Sequence, residues 1–147
     1  MSLRILVDTP VALHARGASD EIRRRVDLGA AVVRCIRAMP KPVVAAVDGN
    51  AAGAGMNLAL ACDVRVGTER TVFTESFVRI GLIPDWGGLH SLVHLVGAGR
   101  AADLMMTARR LDAEEAERVG LLQRVFPAET FATDVLTYAT ALGAGPT

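Results

Sequence analysis

The tightest constraint on this chain lies between residues 41 and 88. The run Lys41-Pro42-Val43-Val44-Ala45-Ala46-Val47 predicts a buried strand over 43–47 that turns at Asp48-Gly49. Small residues follow, Ala51-Ala52-Gly53-Ala54-Gly55, and lead into an apolar helix from about 54 to 62. A second strand is expected at 63–67 and a short third one at 71–74, before the glycine-rich loop Gly81-Leu82-Ile83-Pro84-Asp85-Trp86-Gly87-Gly88. Glycine and alanine leave the backbone open to close approach. Where they begin a helix, the first N–H groups have no intrahelical partner and sit at its positive end. Such a place suits an anion or a developing oxyanion. It also suits plain tight packing of a helix start on a strand. It is not a phosphate loop, because no Gly-Lys-Ser/Thr follows.

The rest of the chain alternates in the same manner. A strand is expected at 3–7, turned by Asp8-Thr9-Pro10. Ser19-Asp20-Glu21 reads as a helix cap with acids in the first turn. Ile22, Val26, Gly29, Val32, Val33, Ile36 and Met39 then recur at helical spacing until Pro40 stops the helix. Arg23, Arg24, Arg25, Arg34 and Arg37 fall mostly between them and read as a solvated face. Further helices are expected at 89–96, closed by Gly97, at 99–108, and at 112–119 with Asp112 as its cap. A strand at 121–126 and a terminal helix at 130–142 complete a single α/β domain over 1–147.

Several function classes are disfavoured at this point. Basic and acidic residues balance at 16 each, so no net field draws nucleic acid or an anionic membrane. Neither a bilayer-spanning apolar run nor a secretory h-region is present, which gives a soluble, cytoplasmic expectation. Cys35 and Cys62 form no metal-type pair and read as reduced thiols. His90 and His94 stand four apart with Ser91 between them. They lack the adjacent glutamate and third ligand of a zinc site, and nothing resembles a nucleophile elbow, so no metal is expected.

The Lys41–Gly49 run, Gly53-Ala54-Gly55 with Leu58-Ala59-Leu60-Ala61-Cys62-Asp63, and Gly81 through Gly88 together resemble the crotonase (enoyl-CoA hydratase/isomerase) superfamily. The resemblance continues through Arg100-Ala101-Ala102-Asp103-Leu104, Leu111 to Ala116, Gly120-Leu121-Leu122 and Val125-Phe126-Pro127. Upstream, His14-Ala15-Arg16-Gly17-Ala18-Ser19 is similar to the family's Phe-Ser-Ala-Gly-Ala-Asp.

The resemblance implies a right-handed spiral of ββα repeats that lacks the family's opening strands and its C-terminal helical portion. It also implies a homotrimer or hexamer. The substrate would be an acyl-CoA thioester, with coenzyme A part of the substrate and no separate cofactor. Backbone N–H groups of Ala18 and Ala54 would form the oxyanion hole. Ala15, Gly17, Ser19, Ala52, Gly53, Asn57, Phe77 and Trp86 would contact substrate, and some of the α-helical arginines would reach the coenzyme A phosphates.

The two-glutamate hydratases carry their carboxylates where this chain has Asn57 and Phe77, and neither can transfer a proton as a carboxylate does. The aspartate of the Pro-Asp-x-Gly-Gly loop resembles the base of dienoyl-CoA isomerases and of the phenylacetate ring-epoxide isomerase. Asp85 is therefore the expected base, unless it merely caps the helix near residue 89. Glu75 is a reserve base, on the same face as Phe77 if 75–80 is extended. Two alternatives stand beside this isomerase reading. One is a hydratase or thioester hydrolase using Glu75 or a bound water. The other is a non-catalytic acyl-CoA-binding subunit.

Overall fold

A computed structural model of the chain describes residues 19–145. The expected strand at 3–7 and the segment containing His14, Ala15, Gly17 and Ala18 lie outside the described residues. The elements run α1 (Ser19–Arg37), β1 (Val44–Val47), β2 (Asn50–Ala52), α2 (Ala54–Ala61), β3 (Val64–Gly67) and β4 (Val72–Thr74). A 3-10 turn (Ser76–Ile80) follows, then α3 (Gly88–Val96), α4 (Ala98–Thr107), β5 (Leu111–Asp112), α5 (Ala113–Arg118), β6 (Arg124–Val125) and α6 (Phe131–Gly143).

The strands form two small sheets ordered β1-β3-β6 and β2-β4-β5. β1 pairs in parallel with β3, Val44 opposite Val64, and β2 pairs in parallel with β4, Asn50 opposite Val72. The chain thus runs along one sheet, turns a corner, runs along the other and returns through a helix. Its next pass lies directly beside the first. That is the stacked ββα spiral.

The corners of successive passes are tied by side chains. Thr68 Oγ1 donates to Asp48 at 2.8 Å, and the buried Thr71 donates its hydroxyl to Val47 O at 2.7 Å while accepting the Thr68 N–H at 2.9 Å. α2 is buried along nearly its whole length, with Met56, Leu58, Ala59, Leu60 and Ala61 in one core with Phe73, Leu92, Leu111, Leu121 and Leu122. Its alanines let β2 and α3 come close, in keeping with a core that has few aromatic rings.

Three expectations need correction. Residues 50–52, read only as leading from the turn into the helix, form strand β2, because the chain leaves the Asp48-Gly49 corner already extended beside β4. The strand expected at 121–126 shrinks to Arg124–Val125. Leu121 and Leu122 instead drop into the core, their N–H groups bonded back to Ala116 O at 2.8 and 3.0 Å. Residues 76–80 are a 3-10 turn, not extended chain. Glu75 and Phe77 are nonetheless both buried, continuing the alternate burial that begins at Phe73.

α1 is only half covered. Gly29 and Ile36 are buried, whereas Val26, Val32 and Met39 are exposed alongside the five arginines. Arg25 pairs with Glu21 one turn away at 2.9 Å.

Candidate active site

The site is built where β2 and β4 end. Gly53 links β2 to α2 with φ 50° and ψ −117°, a conformation that L side chains rarely adopt. Its N–H donates to Thr74 O at 2.8 Å, so the start of α2 lies against the end of β4. A side chain at Gly53 would meet Ser76 Oγ at 2.9 Å and the Phe77 ring at 3.5 Å. Ala54 is the first helical residue, half-buried, and its N–H makes no hydrogen bond found among the described residues. It is thus one of the free donors a helix start supplies. Ala52, expected to contact substrate, is exposed at the edge of this turn.

One turn into α2, Asn57 is buried and donates from Nδ2 to the backbone carbonyl of Asp85 at 3.0 Å. Gly88 opens α3 directly over it, where a Cβ would overlap the Asn57 amide. Asp85 does not cap α3. The capping position is Gly87, without any side-chain bond, and Asp85 contributes only its carbonyl, which accepts the Gly88 N–H at 2.8 Å. Its carboxyl is therefore free of helix duty. The Oδ1 atom is buried with no partner among the described residues. Burial raises its proton affinity above the usual carboxylate range, an effect partly offset by the Asn57 amide and its own backbone N–H.

Glu75 lies deeper. It is 1 % exposed, and neither carboxyl oxygen has a partner among the described residues. Burial, and then the charge on Asp85, push its pKa up to about 8. Sequence reasoning placed Glu75 in reserve and missed this depth. The available signal was the alternation Phe73-x-Glu75-x-Phe77 at the end of a strand.

Trp86 is turned away toward α1. Its indole N–H donates to Val26 O at 2.9 Å, and its ring rests on Gly29, where no side chain would fit. That anchor holds a residue with φ 48°, unusual for a bulky side chain. The described contacts of Trp86 thus fix the loop on which Asp85 is carried. Ser19 begins α1 and stands at the border of the described residues. Among the described residues, no group of three His, Cys, Asp or Glu side chains is placed to hold a metal ion, and no helix is long and apolar enough to cross a membrane.

A family model described as enoyl-CoA hydratase/isomerase matches residues 20–147. The chain belongs to that family, within the crotonase superfamily. It is 43% identical over 115 residues to a probable enoyl-CoA hydratase of Rhodobacter capsulatus, covering 78% of this chain and 45% of that protein. It is 42% identical over 90 residues to a trans-2-decenoyl-[acyl-carrier-protein] isomerase of Streptococcus mutans, covering 61% of this chain and 34% of that protein. An enoyl-CoA hydratase structure from Bacillus anthracis superposes with a TM-score of 0.86 at 30% identity, over 92% of this chain and 52% of that one. The chain spans about half the length of the curated relatives and solved structures it matches.

Proposed function

We propose that this chain acts on acyl-CoA thioesters by isomerase-type proton transfer, with Asp85 as the base. The observation that carries this reading is the Asp85 carboxyl itself. It is half-buried, released from helix capping, tied through its backbone to Asn57, and raised in proton affinity by burial. A base of that kind suits a carbon acid better than an exposed aspartate does.

In the reaction, the Asp85 carboxylate takes a proton from the acyl chain next to the conjugated system. The C–H electron pair flows into the conjugated system and onto the thioester oxygen. The Ala54 N–H stabilises that oxygen, with the Ala18 N–H as the expected second donor. Preorganised donors of this type contribute about 3 kcal/mol each. The proton then returns at another carbon. The absence of a carboxylate at Asn57 and Phe77 weighs against the paired-glutamate hydration route.

Deuterium uptake from heavy water into enoyl- and dienoyl-CoA thioesters, read by mass spectrometry, tests this reading. Uptake is expected with the native protein and not with Asp85→Asn. Undiminished uptake in that variant overturns the role of Asp85.

A second reading is hydration or thioester hydrolysis using Glu75 or a bound water. The deep burial of Glu75 favours it, as does 42% identity over 115 residues to a crotonyl-CoA hydratase of Syntrophomonas wolfei. Loss of the enoyl chromophore that survives Asp85→Asn but not Glu75→Gln would establish that reading. Thioester binding without any proton exchange would mark a binding subunit.

A further inference from the structure

Four buried oxygens at this site have no hydrogen-bond partner among the described residues: Asn57 Oδ1, both carboxyl oxygens of Glu75, and Asp85 Oδ1. All four are acceptors when the carboxyl groups are ionised, and acceptors cannot satisfy one another. A single buried acceptor without a partner costs about 1–3 kcal/mol, and more when it is charged. Two carboxylates that sense each other's charge make the fully ionised arrangement worse. The charges acting on Glu75 include no arginine, lysine or histidine among the described residues; Asp85, from the loop before α3, is the one ionised group that does. α2 contributes the neutral Asn57, whose Nδ2 donates to the Asp85 carbonyl and whose amide also acts on the Asp85 carboxyl, while neither Glu75 oxygen receives a bond from it. One added proton removes one of the two charges and supplies one donor, because a carboxylic acid has an O–H that can pair one of the remaining acceptors. It belongs on the more deeply buried group.

We propose that Glu75 is a neutral carboxylic acid at physiological pH and shares its proton with the Asp85 carboxylate, so that Glu75 is the positioning residue that sets the basicity of Asp85. This rests on the reading of Asp85 as the base, and it concerns a residue outside the usual hydratase pair of positions. In this pair the Glu75 O–H donates to Asp85 Oδ1, no bond is broken, and no other reactant is needed. The donated hydrogen bond favours the charged form of Asp85 against the burial that opposes it. The raised proton affinity of Glu75 is in keeping with this arrangement.

Carbon-13 NMR of the protein labelled at the glutamate and aspartate carboxyl carbons tests the proposal without requiring turnover. Glu75 is expected to titrate near pH 8 in the native protein, and to fall by about one pH unit in Asp85→Asn, where the like charge is gone. Asp85 is expected to titrate at higher pH in Glu75→Leu, which removes the donor, and to return toward its native value in Glu75→Gln, whose amide can donate. A Glu75 that titrates in the ordinary carboxylate range in the native protein overturns the proposal, as does an Asp85 titration indifferent to both Glu75 variants. The two readings fail separately. If Asp85→Asn retains deuterium uptake while the titrations shift as stated, the shared proton stands and the base assignment falls.

Discussion

Glu75 couples the chemistry of the site to the stability of the fold. Its folded-state pKa of about 8 lies above the unfolded value of 4.5. Between those two values the folded chain holds a proton that the unfolded chain has released. Stability therefore falls as pH rises through that window, and the loss is complete above it. Asp85, raised in the same direction, adds to the trend. Thermal melts from about pH 5 to about pH 9 should show the native protein losing stability relative to Glu75→Gln, with the gap closing at the acid end. A gap that stays constant with pH would show that Glu75 is ionised throughout.

The two glycines beside Asn57 separate space from flexibility. Gly88→Ala places a methyl on the Asn57 amide and should cost about 1–3 kcal/mol in chemical denaturation while also lowering deuterium uptake. Gly55→Ala, with open space around it in α2, should stabilise by about 0.5–1 kcal/mol. Asp85, Asn57 and Glu75 were each legible as candidates in the sequence. Their burial and the hydrogen bond from Asn57 to Asp85 were not, because they depend on how tightly α2, the end of β4 and α3 close on one another.

Among the elements, the helices and the strands β1, β3 and β4 were read closely, and β2, β5 and β6 poorly. α2, α3, α4, α5 and α6 lie within a residue or two of their expected limits, since apolar spacing and the Asp112 cap are local signals. β2 and β5, Asn-Ala-Ala and Leu-Asp, lack the β-branched and aromatic residues that mark the equally short β4, and so nothing in them distinguishes a strand from a turn. What makes β2 a strand is its neighbour β4, whose partner residues lie 22 further along the chain, and the corner that aligns them.

Thr71 is the centre of that corner. Its fully buried hydroxyl donates to Val47 O and accepts the Thr68 N–H, joining the end of β1 to the turn between β3 and β4. Thr71→Val keeps the shape and removes both bonds. It should cost about 2–4 kcal/mol, since a carbonyl and an N–H are left unpaired in the interior. Urea denaturation should show a lower midpoint with an unchanged slope. A loss under about 0.5 kcal/mol would mean that water or backbone adjustment replaces the hydroxyl there.

At the scale of the whole molecule, stacking of passes makes each turn of the spiral depend on the next, and Arg65 shows how. It reads in the sequence as an ordinary strand residue in Asp-Val-Arg-Val. In the structure it is 2 % exposed, with burial lowering its proton affinity. Its guanidinium donates to Cys62 O at 2.8 Å, to Leu121 O at 2.8 Å and to the Gln123 side chain at 3.1 Å, while Gln123 also accepts the Arg65 backbone N–H at 2.8 Å. The first partner ends α2, three residues before Arg65, and the others belong to the segment entering β6, so one side chain joins two stretches of the chain that are distant in sequence. All three acceptors are neutral, and so the interaction is charge-assisted hydrogen bonding without an ion pair.

This explains why the stretch at 121–126 is not a continuous strand. The chain bends so that Leu121 O faces Arg65, and pairing with β3 resumes only at Arg124. Arg65→Met retains much of the side-chain length but leaves those carbonyls without their donor. It should destabilise by about 2–4 kcal/mol in denaturant titrations, with salt having little effect on the difference. Hydrogen exchange should rise first at Gln123 and Phe126, whose N–H groups bond Arg65 O and Gly67 O across the β3–β6 edge. Equal loss of protection throughout the sheets would instead mean that β6 and the first pass unfold as one unit, with Arg65 supporting the entire spiral and not one edge of it.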